Sequence, residues 1–349
     1  MKKLLSVVMV AFLVASFVHL AVAEGEVVVY NWEDYISPEA LTMFEKETGI
    51  RVIYSAFTTN EDMMVQLRSN PDEFDVVFPS DYIIERLIKE GLLEPIDYSK
   101  VPNAEHIVDW LDNPDYDQDS TYSVPYMWGT VGILYDKERI TGPIDSWSVL
   151  FTEEYKGEVF MLDSIRDTMG LALKYLGYSM NTRDPSHIQE ATELLLKQKR
   201  DGIVKAYQVD ETKDKMIAGE AILAVVWSGD AQYAISEEGN DRLAYAVPKE
   251  GSNVWVDGMV IPKSSRNKDN AHAFINFMSR PDIAKINCDY IQYSSPNKTA
   301  VELMGEEYTS NPNLNPPQEV IDRCEFFHDI EDAFLAFYNN RWSEIKNAK

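Results

Sequence analysis

The chain predicts an α/β protein folded as two lobes around a cleft, and three observations carry that expectation. Short β-branched and apolar runs alternate with helix-patterned segments from residue 27 to residue 278. Of the 349 residues, removing a 23-residue leader leaves 326, too many for one small domain and enough for two α/β lobes. Aromatic–carboxylate clusters recur where strands are expected to end: Trp32-Glu33-Asp34-Tyr35, Ser80-Asp81-Tyr82, Trp227-Ser228-Gly229-Asp230 and Trp255-Val256-Asp257. In open α/β sheets ligands bind at the carboxyl ends of the strands.

The leader comes first. Lys2-Lys3 is a short basic region, residues 4–20 are apolar apart from Ser6, Ser16 and His19, and Ala21-Val22-Ala23 is an A-x-A cleavage site. This is the pattern of a secretory signal peptide cut after Ala23. An uncleaved anchor is the competing reading, because the apolar run is long for a leader. No cysteine stands at the cut, so no lipid anchor is expected, and no later stretch approaches spanning length. The mature chain is expected to be soluble, outside the cytoplasm and not inserted in the membrane.

Residues 27–30 form a β-branched run suited to a buried strand. Ser37-Pro38 opens a helix through Glu47, stopped by Gly49. A strand at 51–54, a helix at 61–68, a strand at 74–78 and a helix from Asp81 to Glu90, stopped by Gly91, complete a pattern that calls for parallel pairing with helices on both faces. Ser80 precedes that last helix, so it is either a cap or a ligand contact. Residues 122–136, with Pro125, Gly129 and Gly132, read as an extended crossing between lobes. A second α/β set follows: strands at 158–162, 203–207, 221–226 and 243–248, and helices at 166–176, 188–197, 212–217 and from Asp230. The chain then returns through a strand at 255–261, a helix at 272–278 and Tyr293-Ser294-Ser295-Pro296-Asn297.

Loss of two lysines and no acid with the leader takes the net charge from −26 to −28. That argues against nucleic acid or anionic membrane surfaces as partners and would draw cationic ligands, although solubility alone also explains it. Asp115, Asp117 and Asp119 alternate like a calcium loop but lack the sixth-position Gly and the twelfth-position Glu, so a solvated surface loop is expected. The histidines at 106, 187, 272 and 328 are scattered, and no metal site or other cofactor is expected. Cys288 and Cys324 are a candidate disulfide in an oxidising compartment, against two buried thiols.

An indole face beside an anionic oxygen suits a desolvated organic ammonium. The ring quadrupole contributes about 0.5–2 kcal/mol per contact and the carboxylate adds charge-assisted hydrogen bonds. Adjacent acids and strand-end placement mark Trp32, Trp227 and Trp255 for this role. Trp110, Trp128, Trp147 and Trp342 are expected to be packing residues. Asp257 is the strongest candidate for the amine, with a turn acid as the alternative. Asp167 is the next, set against helix-dipole compensation.

These motifs, with Val247-Pro248-Lys249-Glu250-Gly251 and the 293–297 segment, stand in an order and spacing that resembles the bacterial spermidine/putrescine-binding components of ABC importers, over nearly the whole mature chain. The resemblance implies a two-lobed, type II periplasmic-binding-protein-like fold, each lobe a mixed sheet flanked by helices, with crossing hinge segments. The lobes would be 24–130 plus 254–298 and 131–253 plus 299–349. It implies a periplasmic, monomeric protein that closes on a polyamine and presents it to a membrane permease. The ligand contacts it implies are Trp32, Tyr35, Tyr82, Asp167, Trp227, Asp230, Trp255, Asp257 and Tyr293; strand-end placement adds Ser80 and Asp81, and Glu33, which could instead be solvated. Asp230 matches the putrescine-type members. There are departures: Ser164, Val209 and Phe327 stand where that family has an acid, a serine and a glutamine. Chain-length preference therefore stays open.

Two rivals remain at this stage. A carbohydrate-cleaving cleft also sets acids among aromatics, but needs one carboxyl with a raised pKa, whereas a cation box needs every acid ionised. An opine-like ligand would require an arginine for its carboxylate, and Arg166 is the nearest one.

Overall fold

The computed structural model describes residues 25–348 apart from 141 and 240. The leader and its cleavage site lie outside the described residues. Among the described residues no helix is long and apolar enough to cross a membrane.

The first half-sheet forms as its sequence dictates. β1 (Glu26–Trp32) pairs in parallel with β2 (Arg51–Phe57) and with the short β3 (Val76–Val77). Helix α1 (Pro38–Thr48) joins β1 to β2; the Ser37 hydroxyl accepts from the Glu39 amide at 3.2 Å, Pro38 sits in the first turn, and Gly49 ends the helix in the left-handed region. Helix α2 (Asn60–Ser69) is capped by Thr59, whose hydroxyl accepts from the Asp62 amide at 3.1 Å. Helix α3 (Asp81–Lys89) follows β3, and β4 (Leu93–Glu94) is a short edge piece.

β5 (Ser123–Asp136) is the long crossing strand. Its first part lies antiparallel to β10 (Val254–Pro262), and from Val131 onward its partners are β8 (Leu223–Trp227) and β9 (Leu243–Ala246). The second half-sheet adds β6 (Val159–Leu162) and β7 (Val204–Gln208), with β6 parallel to both β7 and β8. The strand order is therefore β2-β1-β3-β10-β5-β8-β6-β7, a mixed sheet running through both halves. Parallel pairing at β1, β2 and β3 matches the strand–helix alternation. β10 is antiparallel because the chain re-enters the first half after its excursion through the second.

Helices α4 (Ile165–Tyr175), α5 (Pro185–Arg200), α6 (Glu211–Ile217) and α7 (Ser228–Glu238) flank the second half-sheet. Helices α8 (Lys268–Met278), α9 (Pro281–Ile291), α10 (Lys298–Thr309), α11 (Gln318–Ile321) and α12 (Asp332–Asn347) follow. No expectation covered the last four. Helix α10 packs on α9, and α12 packs on α5 and α4.

Three crossings meet at one seam. The Val131 amide donates to the Asn253 carbonyl at 3.1 Å, Ser252 Oγ donates to the Val131 carbonyl at 2.7 Å, and the Glu325 amide donates to the Ser252 carbonyl at 2.8 Å. All three chain segments are thus stitched together, by two backbone–backbone bonds and one from the Ser252 hydroxyl.

Two expectations fail, and the candidate disulfide is not formed: Cys288 and Cys324 are free thiols, the other of the two readings left open by the sequence. Cys288 is buried in the middle of α9 with its sulfur 3.8 Å from Met127 Sδ, whereas Cys324 packs against a different cluster and donates to the Val320 carbonyl. Asp117 is not a solvated loop acid: it is 1% exposed and accepts from the Ser123 hydroxyl and from the amides of Thr121, Tyr122 and Ser123. Trp110 is exposed rather than packed, standing edge-on to the buried Trp128.

Candidate ligand-binding site

A cavity of about 500 Å³ opens along the line where the two halves of the sheet face each other. All twelve side chains expected to contact a ligand line it. Ten carboxylates and two cations, Arg166 and Lys213, contribute to its wall, so the cavity attracts cations and repels anions.

Asp257 is fixed from both sides. β10 shifts register between Asp257 and Gly258, and Asp257 pairs with Ser80 across an isolated bridge. Its Oδ1 accepts from the Ser80 hydroxyl at 2.7 Å and its Oδ2 from the Tyr35 hydroxyl at 2.8 Å. Ser80 occupies the cap position of α3, yet makes no cap bond with its side chain, because its hydroxyl is committed to Asp257. Asn60 braces the same corner, its amide nitrogen donating to Ser80 Oγ and to the Tyr82 hydroxyl, both at 3.0 Å.

Asp81 has a different job. Its Oδ1 accepts from the Tyr82 amide at 2.7 Å and its Oδ2 from the Val256 amide at 3.3 Å. It lies fully buried and clamps α3 to β10, holding Trp255 and Asp257 in place from behind.

The opposite wall is less complete. Asp167 sits in the first turn of α4, with Oδ2 accepting from Ser164 Oγ at 2.6 Å and Oδ1 buried without a partner. Asp230 sits in the first turn of α7 with its carboxylate 3.7 Å from Lys213 Nζ. Lys213, on α6, was not expected in the site; a lone lysine within the acidic run from Asp210 to Asp214 was its signal. Arg166 is committed elsewhere: its Nη groups donate to the His328 carbonyl and to Asn181 Oδ1, and its guanidinium lies over the rings of Phe327 at 4.4 Å and Tyr82 at 5.2 Å.

The aromatic lining is held by close approach. Trp255 stands edge-on to Tyr293 with ring centres 5.2 Å apart, and Tyr35 stands edge-on to Tyr293 at 5.6 Å. A Cβ on Gly129 would fall 2.7 Å from the Trp255 ring, and one on Gly229 would fall 2.4 Å from the Tyr293 ring. Both positions admit glycine because the rings lie on the backbone there. Trp32 donates from Nε1 to the Phe78 carbonyl at 2.9 Å, while Trp255 Nε1 is buried without a partner. Trp227 ends β8 on the far side of the cleft. Trp342 on α12 lines the cavity too, a role its sequence context did not reveal. Glu33 is on the rim and exposed.

Burial pushes the Asp257 carboxyl up to about 7, against the lowering effect of the Ser80 and Tyr35 hydroxyls. Burial likewise raises Asp167 to about 6, opposed by the Ser164 hydroxyl and by Arg166, and raises Asp230 to about 6, opposed by Lys213. A raised carboxyl therefore does not single out a general acid here. All three are raised by the same cause, desolvation without a full counter-charge, and an ammonium guest would restore their ionised form.

Fold and site together define a receptor that encloses a small cationic molecule between two half-sheets. The chain belongs to the bacterial extracellular solute-binding proteins: that family's sequence profile matches residues 39–316. It is 36% identical over 319 residues to the spermidine/putrescine-binding periplasmic protein of Salmonella typhimurium, covering 91% of this chain and 90% of that one. It is 33% identical over 342 residues to a putrescine-binding periplasmic protein of Pseudomonas aeruginosa, covering 92% of each. A solved chain from Listeria monocytogenes, provisionally assigned to a spermidine/putrescine ABC transporter, superposes with a TM-score of 0.89 at 41% identity, over 93% of this chain and 99% of that one.

Proposed function

We propose that this protein captures polyamines, putrescine, spermidine or both, in the cleft and delivers them to an ABC permease, without chemical turnover. The observation that carries the reading is the Asp257 carboxylate, held between two hydroxyls beside Trp255 in a cavity with ten acids and two cations. An ammonium buried there exchanges water for a fixed carboxylate and an indole face, and the methylenes between amines lie along Trp255 and Trp32. Relatives named for spermidine and putrescine binding support the ligand class. An opine-like ligand fits less well, since the Arg166 fork is already directed at His328 and Asn181.

In this reading the chain is exported, cleaved after Ala23 and works as a periplasmic monomer. The lobes are 24–130 plus 254–298 and 131–253 plus 299–349 as expected, except that α10 packs on the first lobe's α9, so the last boundary moves from 298 to the crossing near Glu325. The twelve residues form the ligand site, with Asp81 acting through the backbone of β10 and Asp230 through its pair with Lys213. A thermal-shift panel of putrescine, cadaverine, spermidine, spermine and a neutral sugar tests the assignment. Stabilisation by the amines alone is expected. Stabilisation by the sugar alone, or by none of the compounds, would overturn it.

A further inference from the structure

Three buried aspartates face the cleft interior with access to a guest, Asp257, Asp167 and Asp230, and they differ in what the protein itself supplies to each. Asp257 receives two hydroxyls and no cation. Asp167 receives one hydroxyl, retains a bare oxygen, and makes no ion pair with neighbouring Arg166, whose Nη groups are directed elsewhere. Asp230 is the exception: besides a hydrogen bond from the Tyr293 hydroxyl it has a cation, Lys213 Nζ, 3.7 Å away, with the lysine and aspartate side chains largely buried at 17% and 14% exposure. The Lys213 ammonium also lies 5.4 Å from the Tyr233 ring centre, so it meets there an aromatic and an acid, the same surroundings the cleft offers a guest amine.

We propose that Lys213 is a built-in ammonium that fills the Asp230 subsite, leaving two acids for the ligand and so selecting diamines over triamines. The inference rests on the polyamine reading above. A diamine brings two positive charges, which Asp257 and Asp167 match. A triamine brings a third, and its place beside Asp230 is already taken by a like charge held in a low-dielectric wall. The half-buried Asp210 belongs to the same corner and helps keep Lys213 charged, because neighbouring acids raise the lysine pKa despite its burial. The pair is also adjustable: at 3.7 Å it is longer than a hydrogen bond, and Lys213 has a flexible stem, so the ammonium is held by charge more than by fixed geometry.

Calorimetric titration of putrescine and of spermidine into the wild-type protein, Lys213→Met and Lys213→Arg tests this. The wild type is expected to prefer putrescine. Lys213→Met should shift the putrescine-to-spermidine affinity ratio at least tenfold toward spermidine, and Lys213→Arg should keep the wild-type ratio. Loss of both affinities together in Lys213→Met would make Lys213 a structural residue and overturn the proposal, as would an unchanged ratio. A wild type that binds no amine would overturn the functional reading itself; one that binds amines with no preference for the diamine would overturn only this inference. Circular dichroism of each variant confirms that the ratio is read on folded protein.

Discussion

The two walls of the cleft are built to different standards. On the wall made by β1, α3 and β10, the groups that hold Asp257 are in place before any guest arrives: Ser80 and Tyr35 hold the carboxylate, Asn60 holds Ser80, and Asp81 holds the strand, although the Trp255 indole N–H there has no partner. On the wall made by α4, α6 and α7, Asp167 keeps an oxygen without a partner and Asp230 has the Tyr293 hydroxyl and a long contact to Lys213. In the polyamine reading proposed above, a finished wall fixes where the first ammonium goes. An unfinished wall leaves hydrogen-bonding capacity that a guest can complete, so binding energy becomes available only when the halves come together around it. That division suits a receptor that must be open without ligand and closed with it.

The sharpest way to break the comparison is to remove the anchor of the finished wall. Asp257→Ala takes away the acceptor of two buried hydroxyls and the counter-charge of a buried ammonium. The expected loss is about 3–5 kcal/mol of putrescine affinity, roughly a hundredfold to a few thousandfold, because an uncompensated buried charge is left in the complex. Asp167→Ala, on the wall that is incomplete anyway, should cost less. Calorimetry on the two variants decides; equal losses would mean that the walls do not differ in the way described.

Protonation tests the same contrast from another side. With Asp257 near 7 and Asp167 and Asp230 near 6, the ligand-free cleft takes up protons across the mildly acidic range. An ammonium requires the ionised acids, so affinity should fall as pH drops through 7, about tenfold per unit while one group governs, and more steeply below 6. Binding near neutrality should release protons, measurable as a dependence of calorimetric heat on buffer ionisation enthalpy. Stability of the ligand-free protein carries the opposite sign. Acids whose folded pKa is raised contribute stability that is fully present below about 4 and is lost as pH rises through 6 and 7. Affinity that stays flat from pH 5.5 to 8 would show that Asp257 and Asp167 are not the amine contacts.

How much of this could be read from the chain depends on the range of the forces involved. Helix α1 was legible in full, since its cap, first-turn proline and terminal glycine are all local signals. The strand-end positions of Trp32, Ser80, Trp227 and Trp255 followed from local alternation, and so did the cleft that they share. The distinction between Asp81 and Asp257 did not. Both stand in the same kind of aromatic–acid motif, and only partners 175 and 177 residues distant show that one clamps backbone while the other faces the cavity. Lys213 and Trp342 were missed because a lysine among acids and a tryptophan in a helix read as surface and packing until α6 and α12 are docked. The thiols were undecided from sequence, bonded or free, because separation along the chain says nothing of distance; the fold divides them between separate clusters.

The smallest expected effect is also the most discriminating between composition and construction. Glu33 belongs to the same motif as Trp32 and Tyr35 and lines the same cavity, yet it lies exposed on the rim, where water competes for any ammonium. If the abundance of acid were what captures the ligand, Glu33→Gln would weaken binding much as the loss of a buried acid does. If capture depends on desolvated acids held by neighbouring side chains, the change should cost less than about threefold in affinity at physiological salt, and act chiefly on the association rate, where an exposed charge steers a cation from solution. Stopped-flow association at low and high salt separates the two. A rate that falls modestly in the variant, and loses that difference as salt is added, is what a rim charge produces; a large rise in the dissociation rate would place Glu33 inside the closed cleft and blur the contrast between rim and wall.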